Sequence, residues 1–69
     1  MPLSMSKTGE QNIIKKVGGR EDTKRFLENL GFVIGAIVTV ISDINGNMIV
    51  NIKDSRVAIG KDMANRIMV

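Results

Sequence analysis

The sequence predicts a mainly β fold: a small, partly open barrel of about five short strands, with one short helix between the first and second and a helical turn before the last. Three observations carry this. From Lys24 to Ile41 the apolar spacing passes directly from that of a helix to that of a strand across Gly31 and Gly35. Downstream, short apolar runs are broken by Asp, Asn, Ser and Gly, the pattern of strands joined by tight turns. With 69 residues the chain is one domain near the size at which burial barely offsets the entropy of ordering the backbone, so strand edges have to be hidden economically.

Residues 1–6 read as a loose lead-in, with Leu3 and Met5 able to pack down in at most one turn. Thr8-Gly9-Glu10 opens the first strand, Ile13, Ile14 and Val17 carry its apolar content, and Gly18-Gly19 ends it. The helix follows at once. Asp22 or Thr23 offers the short side-chain oxygen of an N-cap, and Glu21 is spaced to pair with Arg25. Phe26, Leu27 and Leu30 fall on one face, and Lys24, Arg25, Glu28 and Asn29 cover the remainder. Gly31 stops the helix at a position that commonly needs positive φ, and Phe32 packs back on the last turn. After Gly35 the period drops to two: Val38 and Val40 point one way, Ile37, Thr39 and Ile41 the other.

Two loops compete for the next hairpin. A two-residue Asn45-Gly46 turn of type I′ sets Val40 opposite Asn51 and Val38 opposite Lys53, which mixes core and surface faces. A three-residue loop, Ile44-Asn45-Gly46, with Gly46 left-handed, sets Val40 against Val50 and Val38 against Ile52, and is the expectation here. A turn at Asp54-Ser55 leads to a fourth strand, Arg56 to Ile59. Gly60-Lys61-Asp62 breaks the pattern, Asp62 can cap a helical turn through Asn65, and Ile67 to Val69 reads as a closing strand.

Composition removes whole classes of chemistry. There is no Cys and no His, so disulfides, thiolate nucleophiles, imidazole bases and the usual zinc sites are excluded, and a cytoplasmic setting fits best. The longest apolar stretch, Phe32 to Ile41, is far too short to span a bilayer, and no signal sequence is read at the N-terminus. The carboxylates are assigned as caps, turn formers or ion-pair members, and the Glu21-Asp22 doublet alone makes a weak cation site. No enzyme is expected. Gly18-Gly19-Arg20 precedes a helix but lacks the spaced glycines and Lys-Ser/Thr of a phosphate loop.

What remains is contact. The formal charge of +3 is concentrated in Lys15, Lys16, Arg20, Lys24 and Arg25 against Glu21 and Asp22, and the rest of the chain sums to zero. That segment is either a solvated face or a patch for an acidic partner, a phosphate or a membrane surface. Ile37 and Ile41 lie opposite the core face of their strand, so either the helix or the lead-in covers them or they dock another protein. The candidate partner-binding residues are therefore Arg20, Lys24, Arg25, Ile34, Ile37 and Ile41, with Gly31, Gly35 and Gly46 as structural glycines.

The run Leu27-x-x-Leu30-Gly31-Phe32-x-x-Gly35-x-x-Val38-x-Val40 resembles the FeoA family of small ferrous-iron transport proteins. Gly9-Glu10 and Ile14 upstream, and Val57-Ala58-Ile59, Ala64, Ile67 and Val69 downstream, extend the likeness from about Leu3 to the end. Two positions depart from the family pattern: Ile34 stands where proline is common, and Gly60 where a basic residue is frequent. The resemblance implies a single SH3-like domain over residues 1–69, working in the cytoplasm as a partner of the membrane GTPase FeoB. The family is commonly labelled as transition-metal binding. Without His or Cys, any iron contact here would be weak and through carboxylates or backbone oxygens, so no cofactor is expected. The competing reading is a nucleic-acid-binding SH3-like module of ribosomal or elongation-factor type, against which stands the lack of aromatic stacking platforms.

Overall fold

The computed structural model describes residues 1–69. A 3-10 turn at Leu3–Met5 precedes strands β1 (Gln11–Ile13) and β2 (Lys16–Val17) and helix α1 (Glu21–Leu30). Strands β3 (Ile37–Ile44), β4 (Asn47–Ile52) and β5 (Ser55–Gly60), the one-turn helix α2 (Lys61–Ala64) and strand β6 (Ile67–Met68) follow. One antiparallel sheet has the order β1-β3-β4-β5, and β2 pairs with β6 in a second. The fold is mainly β, as expected, but with six strands in two sheets and no closed barrel.

The sixth strand arises because the expected first strand divides. At Ile14 the backbone still belongs to the large sheet: its N–H donates to Ala36 O (2.9 Å) and its carbonyl accepts from Gly35 N (2.8 Å). The N–H of Lys15 already donates to Met68 O (2.8 Å), so the chain changes sheets within one residue. Ile14 is fully buried at this corner, whereas Ile13 faces outward.

Helix α1 begins differently from the expectation. Arg20, extended at φ −73° and ψ 160°, is the N-cap residue and makes no side-chain cap; Asp22 and Thr23 lie inside the first turn, where Asp22 Oδ1 accepts the Thr23 N–H (2.9 Å). The Glu21–Arg25 pair does not form, and Arg20 instead stands 4.0 Å from Asp22, both side chains exposed. On the inner face Leu27 is buried and Leu30 half-buried, but Phe26 is 51% exposed. Adjacent helical residues diverge by about 100°, so a small core takes one of the two. At the other end Gly31 has φ 108°, its N–H donates to Glu28 O and that of Phe32 to Leu27 O, both at 2.9 Å. This Schellman closure satisfies the last carbonyls and turns Phe32 fully into the core.

The β3–β4 hairpin pairs Val40 with Val50 and Val38 with Ile52, the register expected, by a different route. Its turn is the two-residue Asn45–Gly46, with φ 47° and 83°, flanked by the pair Ile44–Asn47. A bulge at Ile41 restores the register, because Val40 opposes Val50 and Ser42 opposes Ile49, leaving Ile41 without a partner. The β4–β5 turn lies one residue earlier than expected, at Lys53–Asp54, with φ 49° and 63°.

Gly60, not Asp62, is the N-cap residue of α2. Lys61 fastens α2 to the first hairpin, its N–H donating to Gly46 O (2.9 Å) and its Nζ lying 3.1 Å from Asp43. The lead-in is tied down rather than loose. Leu3 is fully buried, Pro2 bridges to Met68, the Ser4 hydroxyl hydrogen-bonds Asn65, and Val69 N–H donates to Met1 O (2.8 Å). Leu3, Leu27, Phe32, Ala64 and Ile67 close over the inner sheet face of Val38, Val40, Met48, Val50, Ile52 and Ile59, forming one core that is aliphatic but for Phe32.

Candidate partner interface

The residues singled out for contact divide between two neighbouring surfaces. The first is the outer face of the large sheet. Ile37 is 54% exposed and stands directly opposite Ile13, itself 59% exposed, while Ile41 at the bulge is half-buried. Neither helix nor lead-in covers Ile37, so that expectation fails at this position. Beside it a shallow cleft of about 460 Å³ is lined by residues including Gly35, Ala36, Thr39, Asn51 and Lys53.

The second surface runs along α1 and the loop after it. Arg20 and Arg25 are exposed and Lys24 half-buried. Lys24 shares a cleft of about 230 Å³ with Val17, Glu28, Phe32, Val33 and Ile34. Ile34, at 73% the most exposed large apolar side chain, stands on the loop between Gly31 and Gly35. Gly35, with φ 90°, anchors that loop by donating to Ile14 O, which joins the two surfaces.

Three contributors escape the sequence pattern. Ile13 reads as strand core, and only its pairing with Ile37 at the sheet edge shows that it faces out. Phe26 reads as helix core. Arg66 lies far along the chain, yet pairing of β2 with β6 brings its stem across Gly19, where a Cβ would lie 2.8 Å from Arg66 Cδ. No group of three or more Asp and Glu side chains gathers anywhere in the fold, and with His and Cys absent the donor set does not fit a resident transition metal. No helix is long and apolar enough to cross a membrane.

A family model for the FeoA domain matches residues 1–69. The chain belongs to the FeoA family. A Methanocaldococcus jannaschii protein named Fe(2+) transport protein A is 38% identical over 68 residues, which cover 99% of this chain and 83% of the relative. A crystal structure of an iron uptake regulatory protein, FeoA, superposes with a TM-score of 0.90 at 32% identity, over 99% of this chain and 90% of the other. The Stenotrophomonas maltophilia FeoA in complex with zinc, described as a prokaryotic SH3 domain protein, gives 0.87 at 25% identity over 100% and 88%. The architecture is thus SH3-like, as the resemblance implied.

Proposed function

We propose that this FeoA-family domain is a non-enzymatic, cytoplasmic accessory module of ferrous-iron uptake that docks on the GTPase portion of a FeoB-type transporter. Family membership over the whole chain carries the reading. Its physical support is the open surface of Ile13, Ile34 and Ile37, with Lys24 in the cleft beside Ile34 and an exposed Arg20 at the start of the same helix, on a chain with no catalytic constellation. Rim charges set the rate of encounter and apolar contacts the lifetime of the complex. Arg20→Glu with Lys24→Glu therefore lowers the association rate and flattens its salt dependence, while Ile34→Asp, at an exposed site, raises the dissociation rate without unfolding the domain.

Iron is cargo in this scheme and not a cofactor. The Stenotrophomonas maltophilia relative is described in complex with zinc; this chain has neither His nor Cys, so ferrous or zinc binding is expected to be weaker than roughly micromolar. Titration of the purified domain against the soluble part of the cognate transporter tests the main reading. Absence of binding there, together with salt-sensitive RNA or DNA binding, replaces it with the nucleic-acid reading.

A further inference from the structure

We propose that the basic end of the molecule, with Ile34 at its margin, binds directly to the surface of an anionic phospholipid bilayer. The fold makes this surface from segments that are distant in sequence. Gly18 N–H donates to Arg66 O (2.7 Å), and the Arg66 stem lies over Gly19 beside Arg20. With Lys15, Lys16, Lys24 and Arg25, Arg66 raises the local set to six basic side chains against Glu21, Asp22 and Glu28, a net charge of +3. The remaining four basic and four acidic side chains sum to zero, so the whole net charge of the domain lies with this set.

The apolar part of the surface is continuous with the charge. Ile34 and Lys24 line the same cleft, which also holds Val17, next to Lys16, and one acidic group, Glu28. The Gly35–Ile14 hydrogen bond (2.8 Å) sets Ile34 and Lys15 one residue to either side of the same contact. A protruding aliphatic side chain with a long cation beside it suits a bilayer interface, where the chain enters the acyl boundary and lysine stems reach up to phosphates. RNA, by contrast, gains nothing from an isoleucine beside its phosphates. Apart from the 4.0 Å approach of Arg20 to Asp22, no cation of this patch is ion-paired. Each is free to meet a headgroup.

The chain has no Trp, so Ile34→Trp creates a single reporter in the intact protein. With vesicles of phosphatidylcholine and phosphatidylglycerol at 7:3, its emission shifts to the blue, and about 0.5 M salt reverses the shift; phosphatidylcholine alone gives none. In sedimentation with the mixed vesicles, Lys15→Gln with Lys16→Gln and Lys24→Gln lowers the partition coefficient more than about tenfold. Ile34→Ser lowers it about fivefold. Thermal melts of each variant keep loss of binding separate from loss of fold. Absence of binding overturns the proposal. So does binding unaffected by Ile34→Ser and equalled by polyuridylate, which is general attraction to polyanions, and so does equal binding to uncharged vesicles. The vesicles contain no transporter, so none of these outcomes bears on docking to one.

Discussion

The two hairpins of the large sheet share one turn geometry and build it from different residues. Asn45–Gly46 has φ 47° and 83°, Lys53–Asp54 has 49° and 63°, and each pair is enclosed by directly opposed residues, Ile44 with Asn47 and Ile52 with Ser55. Two positive φ values in a two-residue loop are the type I′ turn, whose twist matches that of the strands. Asn-Gly adopts it on its own preference. Lys-Asp is held in it by its surroundings, because the Lys53 stem lies on the end of α1, 3.2 Å from where a Cβ on Gly31 would stand. One turn is specified locally and the other by tertiary contact.

Gly31→Val is the substitution that breaks this comparison most severely. It places a β-branched residue at φ 108° and drives its side chain into Lys53 Cδ, so the helix end and the second turn are strained together. Stability falls by about 3 kcal/mol in chemical denaturation. An unchanged midpoint would show that the helix end and the Lys53 turn are not coupled. Gly46→Ala is milder. Its φ of 83° disfavours any side chain, but nothing lies within 4 Å of the new Cβ, so the loss is only the backbone term, about 1 kcal/mol.

The same contrast explains what could be read from the sequence. The helix stop at Gly31, the alternation of Val38 and Val40 and the pairing of Val40 with Val50 follow from local chemistry and from keeping one face apolar. The bulge at Ile41 does not, since an extra residue in a strand has no composition of its own. The register was deducible although the turn that produces it was not. Division of the first strand was hidden for a similar reason: Ile13, Ile14 and Val17 do not alternate as strand residues do, and the second sheet exists only through β6, far along the chain. Of the proposed contact surface, Ile34, Ile37 and the basic residues of α1 were visible as surplus apolar groups and surplus charge. Ile13, Phe26 and Arg66 required knowledge of which neighbours were already taken.

The smallest effect is the most discriminating one. Asp54 occupies the second turn position, where Gly46 stands in the first hairpin, so Asp54→Gly removes a left-handed penalty at an exposed site whose side chain accepts no hydrogen bond and holds no ion pair. The gain is partly offset by the freedom that glycine adds to the unfolded chain, leaving about 0.5 kcal/mol of added stability. Lys53→Gly relieves the same backbone penalty but strips the aliphatic stem from the end of α1, and packing lost there reverses the sign to about 0.5 kcal/mol of destabilisation. Paired denaturation curves of the two variants read this difference of about 1 kcal/mol directly. If both glycine variants were equally stabilised, the Lys53 stem would contribute nothing, and the second turn would be as local in origin as the first.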